Sequence, residues 1–223
     1  MASGWGQTVD IYCERMGPGF WAEPLNAITN AAFLIAAAVV LRALVRRDRL
    51  DAGTGLLLAL LTAIGIGSFL FHTVATRWAG LADVLPILLF ILSYLALTLR
   101  RGFALAWGWA LALTLAFLPA SAAVAAGVGA LAGDAIGGSG GYLPALLALV
   151  IAGTWLHARG VRAGRELLAA AAVFVVSLSL RTLDSPLCGT IPVGTHFFWH
   201  VLNAVVLGLL IWSLGRMRAE KVG

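Results

Sequence analysis

The sequence predicts an all-α fold, an integral membrane bundle of seven transmembrane helices with its N-terminus outside and its C-terminus in the cytoplasm. Composition is the first observation behind this reading. Of 223 residues, 61% are hydrophobic and only 11% charged, and the mean hydropathy is +0.96, far from the balance of a soluble domain. The second is a set of seven apolar runs, each near the roughly 20 residues needed to cross the hydrocarbon. The third is the placement of basic side chains, which fall almost wholly in alternate loops.

The first run covers 24–45 and follows a polar segment, residues 1–22, that has no basic start leading into an apolar core. No cleavable signal peptide is therefore expected, and the first helix is expected to act as its own insertion signal. Runs two and three lie at 53–75 and 81–99. The fourth, 103–120, has the least defined end, because residues 119–141 (PASAAVAAGVGALAGDAIGGSGG) are small, glycine-rich and weakly apolar. They are open to a ragged helix end, a flexible loop or a re-entrant piece. The fifth and sixth runs lie at 142–158 and 166–183. The seventh, 195–214, opens on THFFWH and leaves 215–223 as a tail. No linker, charge block or internal repeat divides the chain, so one domain over 1–223 is expected.

Orientation follows from the rule that loops rich in Arg and Lys stay cytoplasmic. With seven spans, one side holds Arg42, Arg46, Arg47, Arg49, Arg100, Arg101, Arg159, Arg162, Arg165, Arg216, Arg218 and Lys221, and the other holds only Arg15, Arg77 and Arg181. Twelve against three places the N-terminus outside. The net charge of +5 is thereby a topology signal, and neither a nucleic-acid partner nor an obligatory protein partner is expected.

Ionisable residues inside spans are costly and face a cavity or one another. Here they gather at the outer end: Glu23 at the start of the first span, His72 late in the second, Asp83 early in the third, and His196 and His200 in the first turns of the seventh. Each alone has a plain explanation. A lone histidine there is an interfacial or hydrogen-bonded residue, Asp83 can cap its helix, and Ser68 can bond its own backbone. Together they are harder to dismiss. His196 and His200 are one helical turn apart, roughly 6 Å along the axis, so both rings can point at one atom. Imidazole is the natural nitrogen ligand of zinc, and three protein ligands leave a position open, as in catalytic sites. The fourth histidine, His157, falls at the opposite side beside Arg159. Cys13 and Cys188 both fall outside, where a disulfide can form; the alternative is two unpaired small residues.

Three separated motifs make the chain resemble the alkaline ceramidases, within a seven-helix hydrolase superfamily that includes adiponectin-receptor-like and haemolysin-III-like proteins. DIYCERMGPGFWAEPLNAITNAAF is similar to that family's acidic-Cys-Glu segment leading to Glu-x-x-Asn. GIGSFLFHTVATRWAGLADVLP is similar to its Gly-Ser-x-x-x-His with an Asp eleven residues later, here Ser68, His72 and Asp83. THFFWHVLN is similar to its His-x-x-x-His.

The resemblance implies zinc held by His72, His196 and His200, with Asp83 orienting and deprotonating water and Ser68 donating to the developing oxyanion. It implies hydrolysis of the amide of ceramide or another N-acyl membrane lipid, and a Cys13–Cys188 bridge. It also implies a calcium ion held by Asp10, Glu14 and Glu23. There the match departs from the family: its acidic residue two before the cysteine is Ile11 here, and its polar residue two after Glu14 is Met16.

Other seven-helix functions fit less well. A retinal protein needs a lysine in the last helix, and the only lysine is Lys221 in the tail. A receptor of the adiponectin type would share the His/Asp layer but not the N-terminal motif. A metal or proton transporter would want a polar path through the almost wholly apolar cytoplasmic half. Haem between His72 and His200 would leave His196 and Asp83 unexplained. The Ala, Leu, Gly and Arg bias predicts a bacterial gene, with the protein in the inner membrane and its active site toward the outer face.

Overall fold

In a computed structural model, which describes residues 4–136 and 138–219, the described residues form eight α-helices and three short 3-10 turns. The helices are α1 (Pro24–Thr29), α2 (Ala31–Val45), α3 (Ala52–Val74), α4 (Arg77–Arg101), α5 (Trp107–Ala132), α6 (Leu143–Ala158), α7 (Ala163–Leu187) and α8 (His196–Ala219). Among the described residues, α1 with α2 and each of the other six helices make seven segments long and apolar enough to cross a bilayer. The chain is an all-α, multi-pass membrane protein. Many of its large apolar side chains, such as Ile35, Val39, Trp109, Leu115 and Ile151, face outward, as a lipid-facing surface requires.

Local chemistry fixes the helix ends that matter for the site. Pro24 opens α1 at a position whose N–H has no intrahelical partner. α1 and α2 meet at Asn30, whose side chain donates to the Asn26 carbonyl at 2.8 Å and bridges the break. α3 starts on a capping box, Asp51 accepting from the Thr54 N–H at 2.9 Å and Thr54 Oγ1 accepting from the Asp51 N–H at 2.9 Å. It ends at Ala75, held left-handed at φ 47°, and the next residue, Thr76, is already at the N-cap position of α4.

The N-terminal segment docks on this tight corner. The Val9 N–H donates to the Ala75 carbonyl at 2.8 Å and the Arg77 N–H to the Gln7 carbonyl at 3.0 Å. Further along, Gly67 lies against the main chain of Ala82 and Asp83 with no room for a β-carbon, so α3 and α4 approach closely beside Ser68 and Asp83. The apolar core runs along the bundle through Leu57, Leu61, Phe90, Leu167 and Ile211.

Two boundaries differ from the sequence reading. The fourth span does not stop near residue 120: α5 carries through Pro119 to Ala132, and two 3-10 turns, Gly133–Ile136 and Ser139–Tyr142, lead into α6. Small apolar residues at membrane depth still need their main-chain hydrogen bonds satisfied, and a helix does this locally. The seventh helix continues to Ala219, past residue 214 and into the stretch read as tail. Lys221 lies outside the described residues.

Candidate metal centre

The three histidines converge. His72 sits in the last turn of α3, and His196 and His200 in the first turns of α8. All three are at most 2% exposed, and one nitrogen from each falls within 4.8 Å of the others. The Nε2 atoms of His72 and His200 are 3.1 Å apart.

The partner of each Nδ1 explains this approach. His72 Nδ1 lies 2.6 Å from Glu23 Oε2, so its proton goes to the carboxylate. His200 Nδ1 lies 2.9 Å from Thr29 Oγ1, whose own proton is donated to the Leu25 carbonyl at 2.6 Å. Thr29 must then accept, and His200 Nδ1 carries the proton. With neutral rings these partners leave both Nε2 lone pairs facing the same space, an arrangement suited to a cation held by both. His196 is stacked under Tyr12, ring centroids 3.7 Å apart, and its Nδ1 is buried with no hydrogen-bond partner. This donor set fits a metal with a preference for nitrogen.

Beside the histidines, Ser68 is buried and its hydroxyl faces the Asp83 carboxylate, which also feels the His72 ring. Next to Trp199, the neighbour of His200, an apolar chamber extends between the helices, lined also by Phe33, Phe90, Tyr94, Tyr142 and Asn203.

The N-terminal segment closes the layer from above. Cys13 and Cys188 are joined by a disulfide. Asp184, only 3% exposed, accepts from the main-chain N–H groups of Cys13, Thr195 and His196 at 3.2, 2.7 and 2.8 Å. It thus caps α8 across the loop and fixes the backbone from which His196 projects. Arg181 reaches over the rings of Tyr142 and Trp199 and donates to Ser139 Oγ at 3.0 Å.

The carboxylates expected for calcium do not assemble. Asp10 is exposed. Glu14 accepts the N–H groups of Leu25 and Asn26 at 2.6 and 2.8 Å, capping α1. Glu23 accepts from Arg15, His72 and Asn26 at 2.5, 2.6 and 3.0 Å. Burial works to raise its carboxyl, but the hydrogen bonds from His72, Asn26 and Arg15 prevail and hold it below the ordinary carboxylate range. Among the described residues, Asp10, Glu14 and Glu23 form no convergent cluster, and the residues present do not fit a hard divalent cation needing several oxygens.

The family model for Ceramidase matches residues 12–222, nearly the whole chain. The chain belongs to the ceramidase family. The matched region begins at Tyr12, so Cys13, Arg15, Glu23, the His layer and the chamber of this ceramidase-family protein lie inside it, and residues 1–11 precede it. Membership supports a ceramide-hydrolysing function, an amide hydrolase acting on a membrane lipid. A comparison with curated proteins finds none that matches.

Thr29, Asp184, Tyr12 and Arg15 were not legible as site residues. Thr29 carries a weak signal, one turn beyond Leu25 on the first span. Asp184 and Arg15 act across the chain on partners that no local pattern reveals.

Proposed function

We propose that this ceramidase-family chain is a zinc-dependent intramembrane amidohydrolase, cleaving the amide of ceramide or a related N-acyl lipid to a fatty acid and a long-chain amine. The observation that carries the reading is the approach of the Nε2 atoms of His72 and His200 to 3.1 Å, with His196 beside them. His72, His196 and His200 would hold the ion, which when bound supplies Lewis acidity and water ionisable near neutral pH.

The chain's own groups do the rest. Glu23 and Thr29 keep the His72 and His200 rings turned with Nε2 inward. Asp83 takes the proton of the attacking water and passes it to the leaving nitrogen. Ser68 donates to the amide oxygen as negative charge develops there. The apolar chamber receives the acyl chain and excludes bulk water.

The same reading makes 1–223 one domain, with the N-terminus outside and the C-terminus in the cytoplasm of a bacterial inner membrane. It is supported by the twelve-to-three division of Arg and Lys. The partner this arrangement calls for is the lipid itself.

Purified protein incubated with fluorescent ceramides and other N-acyl lipids, with and without a zinc chelator and beside a His200→Ala variant, tests it. Fatty-acid release should disappear in both treatments. Release that survives them, or elemental analysis that finds tightly held iron in place of zinc, would overturn the mechanism.

A further inference from the structure

The cation position that the family resemblance assigns to calcium contains a guanidinium. Arg15 is 8% exposed, on a segment whose flanking Met16 is 88% exposed, so its side chain turns inward. Its three nitrogens meet three acceptors: Nε donates to Glu23 Oε1 at 2.5 Å, Nη1 to the Gly17 carbonyl at 3.1 Å and Nη2 to the His72 carbonyl at 3.0 Å. A carboxylate and main-chain carbonyls are the oxygens a calcium ion would gather. The two residues by which the sequence departs from the family, Ile11 and Met16, both point away, Ile11 being 57% exposed. Glu14 already has both oxygens on the start of α1. An ion placed here would therefore meet a fixed positive charge and too few free ligands.

We propose that Arg15 is a built-in cation that replaces calcium in this chain, and that it is a positioning residue of the histidine layer. One planar fork ties the N-terminal segment, the first span and the last turn of α3 together. Its Glu23 partner holds the His72 ring through the other carboxylate oxygen, at 2.6 Å. Arginine suits this task because its donors sit in a rigid plane matched to several acceptors at once, whereas a lysine ammonium offers one point charge. Two consequences follow: the protein needs no calcium, and its hold on the nitrogen-bound metal depends on Arg15. Only the second rests on the zinc reading.

Calcium titration of the purified wild-type protein by calorimetry, with melting temperature recorded in calcium and in a calcium chelator, tests the first. No saturable binding and no shift in melting temperature are expected. Binding of calcium with a raised melting temperature would overturn the proposal, whether or not the protein hydrolyses anything.

Zinc affinity, measured by chelator competition on wild type, Arg15→Gln and Arg15→Lys, tests the second. The Gln variant should hold zinc about 10–100-fold more weakly, as loss of an outer ligand partner does, and Lys should recover part of that loss. Wild-type affinity in Arg15→Gln would refute the positioning role. If that variant does not fold, Arg15→Lys and the wild-type calcium titration still decide.

Discussion

His72 and His200 stand 128 residues apart in the chain, yet their Nε2 atoms face each other at 3.1 Å. Each ring is held from behind, His72 by Glu23 and His200 by Thr29, and both holders belong to the start of the first span. One short stretch, residues 23–29, therefore sets the aim of two imidazoles carried by two other helices. If the metal is held as proposed, His72→Ala should lower zinc content from one equivalent to near none. Hydrolysis should drop by about three orders of magnitude or more, roughly 4 kcal/mol in the barrier. Elemental analysis paired with the lipid assay reads both.

Glu23→Gln and Thr29→Val should keep the fold and lose aim. In Glu23→Gln the amide can still accept from His72, but the charge opposite Arg15 is gone. In Thr29→Val the His200 Nδ1 proton has no acceptor at that position. Zinc affinity is expected to fall about 10–100-fold in each, the usual effect of removing a partner behind a metal ligand. Chelator competition measures it. Wild-type affinity in both variants would mean that the two histidines are oriented by something else.

The spans and the cluster of three histidines were legible because each has a local signal: about 20 apolar residues for a span, and His196 and His200 one turn apart on one helix face. Ser68, His72 and Asp83 came from a motif on two neighbouring helices, which the tight corner at Ala75 and Thr76 and the close packing at Gly67 then bring together. The continuation of α5 to Ala132 was hidden because alanine and glycine give little hydropathy, although main-chain hydrogen bonding at membrane depth favours the helix regardless. Arg15 was not legible in the same way: it reads as an ordinary loop charge until folding turns it inward between Glu23 and the His72 carbonyl.

Asp184 illustrates a residue that only the folded chain reveals. Its carboxylate receives three main-chain N–H groups, from Cys13, Thr195 and His196, so removing it orphans buried donors at the start of α8 and in the N-terminal segment. Asp184→Ala should cost about 2–4 kcal/mol of stability, since hydrogen bonds to charged groups are worth about 1.5–3 kcal/mol and unsatisfied donors add to the loss. A lowered melting temperature in detergent is the expected reading, with zinc content falling because His196 loses its anchor. An unchanged melting temperature would show that the cap is dispensable.

The start of α3 gives a pH-dependent test away from the histidine layer. Burial works to raise the Asp51 carboxyl, but the Thr54 N–H and Arg101, at 3.1 Å, outweigh it and hold it below the ordinary range. A carboxyl depressed in the folded state contributes stability above its unfolded pKa of about 3.9 and loses it as pH falls through the lower folded value. Asp51→Asn keeps a capping side chain but loses the charge facing Arg101, so it should destabilise at neutral pH by about 0.2–1 kcal/mol. The gap between the two proteins should close as pH drops below about 4. Melting curves across pH 3–7 would show the convergence, and a constant gap would assign the effect to packing instead.

The chamber below the histidines makes a prediction about acyl-chain length. Ala152, on α6, lines it near Leu95 and Thr98 at the C-terminal end of α4, while Tyr142 and Trp199 line it near the histidine layer. A chain whose amide lies at the metal would have its methyl end near Ala152. Ala152→Phe fills that end without touching a ligand or a proton-transfer group, so zinc content should stay at the wild-type level. Each methylene that can no longer be buried costs about 0.8 kcal/mol, and losing two would lower kcat/KM for long acyl chains by roughly tenfold or more. Short-chain substrates should be turned over nearly as before. Competition between long-chain and short-chain N-acyl lipids in one reaction measures the ratio directly. Equal losses on both would place the acyl chain outside this chamber, and the lipid would then have to reach the histidines from another side of the bundle.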